Sequence, residues 1–411
     1  MNNIMPMHTK RLIVAALTAF LAYGTAGASA AQIESPPVAS ASAILGGQVR
    51  GSNYQVGDAV RSDGFLQIFE LNTSYGRYQV QGREMLKVRL RELAAVAVLE
   101  RMDKSQAYVG AAAKAAKKPV DLAVGLVTNP VDTVQQSMSG VGAVFSRIGS
   151  GAANIGQGRD NLAGSLLSVS SAKRQIAYKL GVDPYTDFKP LADALTDMAR
   201  VTALGDLTVS GAFMAIPGGA GMVVSYSKTA QEVGQMVLDK TPSELRDANR
   251  AKLSAMGVPG PVISAFLDNA SYTPMDQAVI VAALVKINGV ANRDLFVRRA
   301  SQAPSRDLFF TRTRAEFLAD QNSRVDPFVD FVDVRGIPLN QTRCGKVVAV
   351  VALDELAWTK QASDFITVID QDIKQRKLGN SVEVKISGTA TPMAKEGLRE
   401  RGWKIFENIS R

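Results

Sequence analysis

Phe328-Val-Asp-Phe-Val-Asp-Val334, Val347-Val-Ala-Val-Val-Ala352 and Val382-Glu-Val-Lys-Ile386 are three short β-rich runs, and what lies between them decides the fold of residues 326–411. The first two flank a loop containing Pro338 and Gly345. Helical spacing separates the second from the third. Asp354 to Gln375 offers Leu356, Ala357, Phe365, Val368, Ile369 and Ile373 for a core face. After the third run, Gly388-Thr-Ala-Thr-Pro392 turns into a helix over Met393 to Arg401. Gly402 stops that helix and Trp403-Lys-Ile-Phe406 resumes as a strand. The order ββαβαβ implies a small α/β domain with a helix-backed sheet.

Upstream, residues 105–325 read as helical. Thr241-Pro242-Ser243-Glu244 and Thr273-Pro274-Met275-Asp276 are helix starts of the capping-box type, with proline in the first turn. Gly257-Val-Pro-Gly-Pro261 is a turn between them. Val134, Met138, Val141, Phe145 and Ile148 form one apolar stripe, on a helix whose other faces are small and nearly uncharged. Leu207 to Ser227 has no charged residue. Its length matches a membrane span, but Ile216-Pro-Gly-Gly-Ala-Gly221 interrupts it. Two short core helices joined by a tight turn are expected. The alternative is a hairpin that dips into a bilayer through Phe213, Met214, Ile216, Met222 and Val223.

Nearer the N-terminus the period is that of strands. Gly64-Phe-Leu-Gln-Ile-Phe-Glu-Leu71 and Arg77-Tyr-Gln-Val-Gln81 flank Asn72-Thr-Ser-Tyr-Gly76 as a hairpin. Met85 to Met102 is then helical, with Leu86, Leu90, Leu93, Val96 and Leu99 on one face. The fold class is therefore α+β. A β-hairpin unit (48–104) leads into a mainly helical middle (105–325) and a small C-terminal α/β domain (326–411).

Residues 1–30 have the pattern of a secretory signal peptide. Lys10 and Arg11 precede the apolar run Leu12 to Leu21, and Ala28-Ser29-Ala30 is a small-x-small cleavage site. Residues 31–47, rich in small residues and proline, are expected as a flexible leader. Cleavage after Ala30 removes His8, the only histidine, and lowers the net charge from +9 by the two charges of Lys10 and Arg11, to +7.

The loss of His8 closes several chemistries. A Ser-His-Asp triad, a Cys-His nucleophile and a His-containing zinc site are all excluded. No metal and no cofactor are expected. Cys344 is the single cysteine, set among basic residues in Thr342-Arg-Cys-Gly-Lys346 that would lower a thiol pKa. Ser170-Ser-Ala-Lys173 and Ser225-Tyr-Ser-Lys228 fit the spacing of a Ser-Lys dyad, a pattern that recurs by chance. Asp183 and Asp187, and Asp326, Asp330 and Asp333, are paired acids that also suit loop capping. Ser387, Gly388, Thr389 and Thr391 form a candidate anion site, although a plain helix entry with Thr391 as cap and Pro392 in the first turn is the favoured reading.

Basic residues cluster at Lys114 to Lys118, Arg298 to Arg314 and Lys395 to Lys404, as expected of solvated faces. The expected partners are an envelope protein, anionic lipid or glycan, and not nucleic acid. The sequence points to an exported bacterial protein, periplasmic or attached to the cell envelope, with a non-catalytic binding or membrane-associated role. The alternative is a histidine-free secreted hydrolase using carboxylates or a Ser-Lys dyad.

Overall fold

A computed structural model describes residues 33–103, 106–115, 160–204, 228–304, 308–322 and 325–410. The stripe at 134–148, the uncharged segment at 207–227 and the cleavage region lie outside them. The fold is mixed α+β, with an N-terminal antiparallel sheet and a C-terminal sheet flanked by helices.

The N-terminal unit holds β1 (Val38–Ser40), α1 (Ala41–Leu45), β2 (Tyr54–Val56), β3 (Ala59–Ser62), β4 (Gln67–Thr73), β5 (Gly76–Gln81), α2 (Arg83–Asp103) and α3 (Gln106–Ala115). The hairpin expected around residues 72–76 is β4–β5, closed by the two-residue turn Ser74-Tyr75. β4 is the centre of the sheet. It alternates as a half-buried strand should: Phe69 and Leu71 are buried while Glu70 and Asn72 face out. β3 and β2 share one edge of β4, and β5 takes the other.

Part of the stretch read as a flexible leader is structured. β1 pairs antiparallel with β3 over Val38 to Ser40, and Ala41 is buried. A strand partner and a buried side chain hold a segment that composition alone describes as loose.

The helical middle divides between cores. Helices α4 (Asp160–Leu180) and α5 (Lys189–Leu204) pack on the N-terminal unit, where Ile176, Leu180, Phe188, Leu191 and Leu195 join Phe69, Leu86, Leu93 and Leu99. Helices α6 (Lys228–Asp239), α7 (Pro242–Ala255), α8 (Gly260–Leu267), α9 (Pro274–Lys286), α10 (Asp294–Ser301) and α11 (Leu308–Gln321) follow. Both capping boxes form: Thr241 with Glu244 starts α7, and Thr273 with Asp276 starts α9. Each satisfies two orphan backbone donors reciprocally.

The C-terminal elements are β6 (Phe328–Val334), β7 (Ile337–Thr342), β8 (Lys346–Val351), β9 (Glu355–Leu356), α12 (Lys360–Arg376), β10 (Ser381–Ile386), β11 (Thr389–Ala390), α13 (Pro392–Glu400) and β12 (Trp403–Phe406). The sheet order is β12-β10-β8-β7-β6. β8, β10 and β12 are parallel, and β6, β7 and β8 form an antiparallel meander. One face packs on α12 and α13 through Val347, Val382, Val384, Ile366, Ile369 and Leu398. The other packs on α8 to α11 through Phe328, Phe331, Val348 and Val350. The sheet is buried on both sides, as a parallel arrangement requires.

Two boundaries differ from the sequence reading. The expected loop around Pro338 contains strand β7. Pro338 lies opposite Asp333 of β6, whereas β7 meets β8 only at Asn340 and Gln341, so the missing N–H leaves no gap in that second ladder. Helix α12 begins at Lys360 rather than near Asp354, with Thr359 as its cap. The residues before it are held extended by N-terminal backbone: Asp354 and Ala357 donate N–H bonds to the carbonyls of Phe65 and Gly64.

Candidate functional site

A cleft of about 470 Å³ opens where the N-terminal unit meets the C-terminal sheet. One wall is β5, with Tyr78, Gln79, Val80 and Gln81, and the Gly82 that follows it. The opposite wall comes from α11, with Phe309, Phe310 and Thr313. Met85 and Arg89 of α2 and Ala352 and Asp354 after β8 complete the lining, together with Leu66 and Glu84. Ligand sites favour such junctions, with apolar walls and few polar groups.

The charges of the cleft are engaged within the protein. Asp354 accepts the Gln67 N–H at 2.9 Å and the Arg83 N–H at 2.9 and 3.1 Å. It thus caps the first turn of α2 from a different unit. Burial pushes its carboxyl above the usual range, and the two backbone donors oppose that shift. Glu84 pairs with Lys87 at 2.6 Å. Arg89 pairs with Glu92 at 2.7 Å and with Asp187 at 3.1 Å, and its guanidinium lies 4.8 Å from the centre of the Phe188 ring. Tyr78 meets the same ring edge-on at 5.3 Å. Glu92 also accepts the Thr186 hydroxyl. Burial raises its carboxyl to about 7, against the pull of Arg89 and Thr186. Thr313 is different: it is 1 % exposed and its Oγ1 has no hydrogen-bond partner.

The expected anion turn already holds carboxylates of this chain. Glu34 Oε1 accepts the Thr391 hydroxyl and the Trp358 N–H. Glu407 accepts the Ala390 N–H at 2.7 Å. Ser387 donates to the Leu353 carbonyl at 2.7 Å, and Thr389 N–H to the Asp354 carbonyl at 3.2 Å. Gly388 is pressed so close to Asp354 that an added Cβ would lie 1.9 Å from its carbonyl oxygen. Thr391 also caps α13 through the Ala394 N–H. The donors converge as the sequence implies, but internal groups take them up.

Among the described residues, the other sequence candidates do not assemble. Ser170 accepts from Arg174 at 2.9 Å while Lys173 donates to Thr196 at 3.1 Å, so the first Ser-Lys pattern forms no mutual bond. Ser225 lies outside the described residues. Asp183 and Asp187 diverge: Asp183 accepts the Thr273 hydroxyl at 2.6 Å, and Asp187 pairs with Arg89. Asp326 accepts the Cys344 N–H, Asp330 the Asn292 amide and Asp333 the Gly336 N–H, three separate duties. Cys344 is exposed, and its thiol is raised rather than lowered, because Asp326 beside it outweighs Lys346 and Arg343.

The basic cluster at 298–314 is not one solvated face. Arg312 pairs with Asp276 at 2.8 Å, with only 11 % of its side chain exposed. Arg314 is buried, donating to the Val350 and Pro338 carbonyls. Phe213, Met214, Ile216, Met222 and Val223 lie outside the described residues. No described helix is long and apolar enough to cross a membrane.

The cleft residues went unread in the sequence because they come from four separate segments, none with a motif. The one available signal is Phe309-Phe310, two adjacent aromatics near the start of a helix. Adjacent helix positions point about 100° apart, so a core that takes one leaves the other at its margin. In comparisons with family models, with curated proteins and with solved structures, the chain matches none.

Proposed function

We infer that this chain is an exported cell-envelope protein whose role is to bind a partner in the cleft between β5 and α11, without chemistry on it. The cleft carries this reading. Its acids and its arginine are committed to internal pairs, so it offers a ligand apolar surface and a strand edge. Export rests on the Lys10 to Ala30 pattern.

The test is photo-cross-linking in the native host. A benzoylphenylalanine in place of Phe309 is expected to give an adduct in the envelope fraction. The same group at Val368, on exposed α12 surface, is expected to give none. A carbonate wash of the native protein separates the membrane-inserting alternative: release supports cleft binding, and retention supports an inserted hairpin at 207–227.

A further inference from the structure

Five consecutive residues line the cleft, Tyr78 to Gln81 of β5 and the Gly82 that follows it. Successive side chains of a strand point to opposite faces. A consecutive run therefore meets one cleft along the strand's edge. Among the described residues, β5 pairs with β4 alone.

The hydrogen-bond phase of that pair is fixed at both ends. Thr73 and Gly76 close the two-residue turn, and Gly82 N–H donates to the Gln67 carbonyl at 2.8 Å. Bonded and non-bonded pairs alternate along an antiparallel ladder. Gly76, Tyr78, Val80 and Gly82 thus bond to β4. Arg77, Gln79 and Gln81 turn their N–H and C=O groups away from it, the last two on the cleft side.

We propose that the ligand of this cleft is an extended, uncharged peptide segment of a partner protein, added to β5 as a further strand. The proposal rests on the cleft-binding reading above. Four outward backbone groups at strand spacing match another strand's main chain. A lipid tail would leave them buried and unpaired, at a cost. Alternate side chains of the added strand would face Phe309 and Phe310. The cleft's own charges are already paired, which favours a neutral segment over a charged one. Five residues of wall, about 16 Å, suit a segment of similar length.

The test uses the full chain and an array of capped heptapeptides with Val, Leu, Phe or Thr in alternation. Fluorescence anisotropy of the best binder follows. Gln79→Pro removes one outward N–H and leaves the β4 ladder intact. It is expected to weaken binding about ten-fold, and Gln79→Ala, which keeps that N–H, is expected to weaken it by less. N-methylation of every second peptide residue is expected to abolish binding in one phase and spare it in the other. That result does not depend on how well a variant folds.

An array without binders, or a binder indifferent to both the proline and the methyl groups, overturns strand addition. A Phe309 cross-link that survives Gln79→Pro also overturns it while leaving the cleft reading intact. Absence of any Phe309 adduct in wild type removes the cleft reading itself.

Discussion

The carboxylate of Asp354 caps helix α2 by accepting the backbone N–H of Arg83, at 2.9 and 3.1 Å, across 271 positions of sequence. The same carboxylate takes the Gln67 N–H of β4. One side chain of the C-terminal domain therefore fixes a strand and a helix of the N-terminal unit, and that helix supplies Glu84, Met85 and Arg89 to the cleft.

Asp354→Ala leaves two buried N–H groups without an acceptor. Each unmet donor costs roughly 1–3 kcal/mol, so a loss of about 2–6 kcal/mol in urea unfolding is expected. Asp354→Asn keeps an acceptor oxygen and is expected to cost about half as much. An alanine variant as stable as wild type would mean that water serves both donors.

Glu92 and Asp183 contribute to the pH dependence of stability in the same sense as the raised Asp354. Burial raises Glu92 to about 7 and Asp183 to about 6, the latter with Asp276 nearby. The folded protein thus holds these protons more tightly than the unfolded chain does. Their contribution is complete below the unfolded values, about pH 4, and is lost as pH rises through about 6 and about 7. Tm is expected to be higher at pH 5 than at pH 7.5. Glu92→Gln, which fixes the neutral form, is expected to flatten that slope. A variant as steep as wild type would remove Glu92 from the account.

Elements whose signals are local were legible. Thr241 and Thr273 each cap a helix with an acid three residues on, and Thr391 caps α13 before Pro392. The alternation of Phe69 and Leu71 announced β4. What stayed hidden depends on distant partners. β7 is polar at Asn340 and Gln341 and begins beside a proline, yet neighbouring strands make it a strand. Asp354 looked like a helix start because its real helix, α2, is far away in sequence. The anion turn was legible as a convergence of donors. That Glu34 would fill it was not, since residues near the N-terminus give no sign of their destination.

Gly397 and Gly388 are required by close approach. An added Cβ at Gly397 would lie 2.3 Å from the Trp358 ring, and one at Gly388 lies nearer still to backbone. Gly397→Ala forces the buried indole to shift, which is expected to cost about 1–3 kcal/mol and to alter tryptophan fluorescence. Gly388→Ala meets rigid backbone and is expected to cost more. Thr389 and Ala390 of β11 pair with Glu355 and Leu356 of β9 beside Gly388, and equal and small losses would show that these two strands separate easily.

Glu34 is the internal occupant of the anion turn, bound to the Trp358 N–H and the Thr391 hydroxyl. Its backbone N–H also donates to the Trp358 carbonyl at 3.1 Å, so the main chain stays docked when the side chain is cut back. Glu34→Ala should therefore uncover two donors beside the start of α13 without removing the segment. Helix starts attract anions, and millimolar sulfate is expected to raise the Tm of Glu34→Ala by more than it raises that of wild type, with chloride as the control for general salt effects. Restoring the carboxylate one methylene shorter, in Glu34→Asp, is expected to reduce the sulfate response. If wild type and Glu34→Ala respond to sulfate alike, the turn is not an anion cradle, and Glu34 serves only to fasten the N-terminal segment.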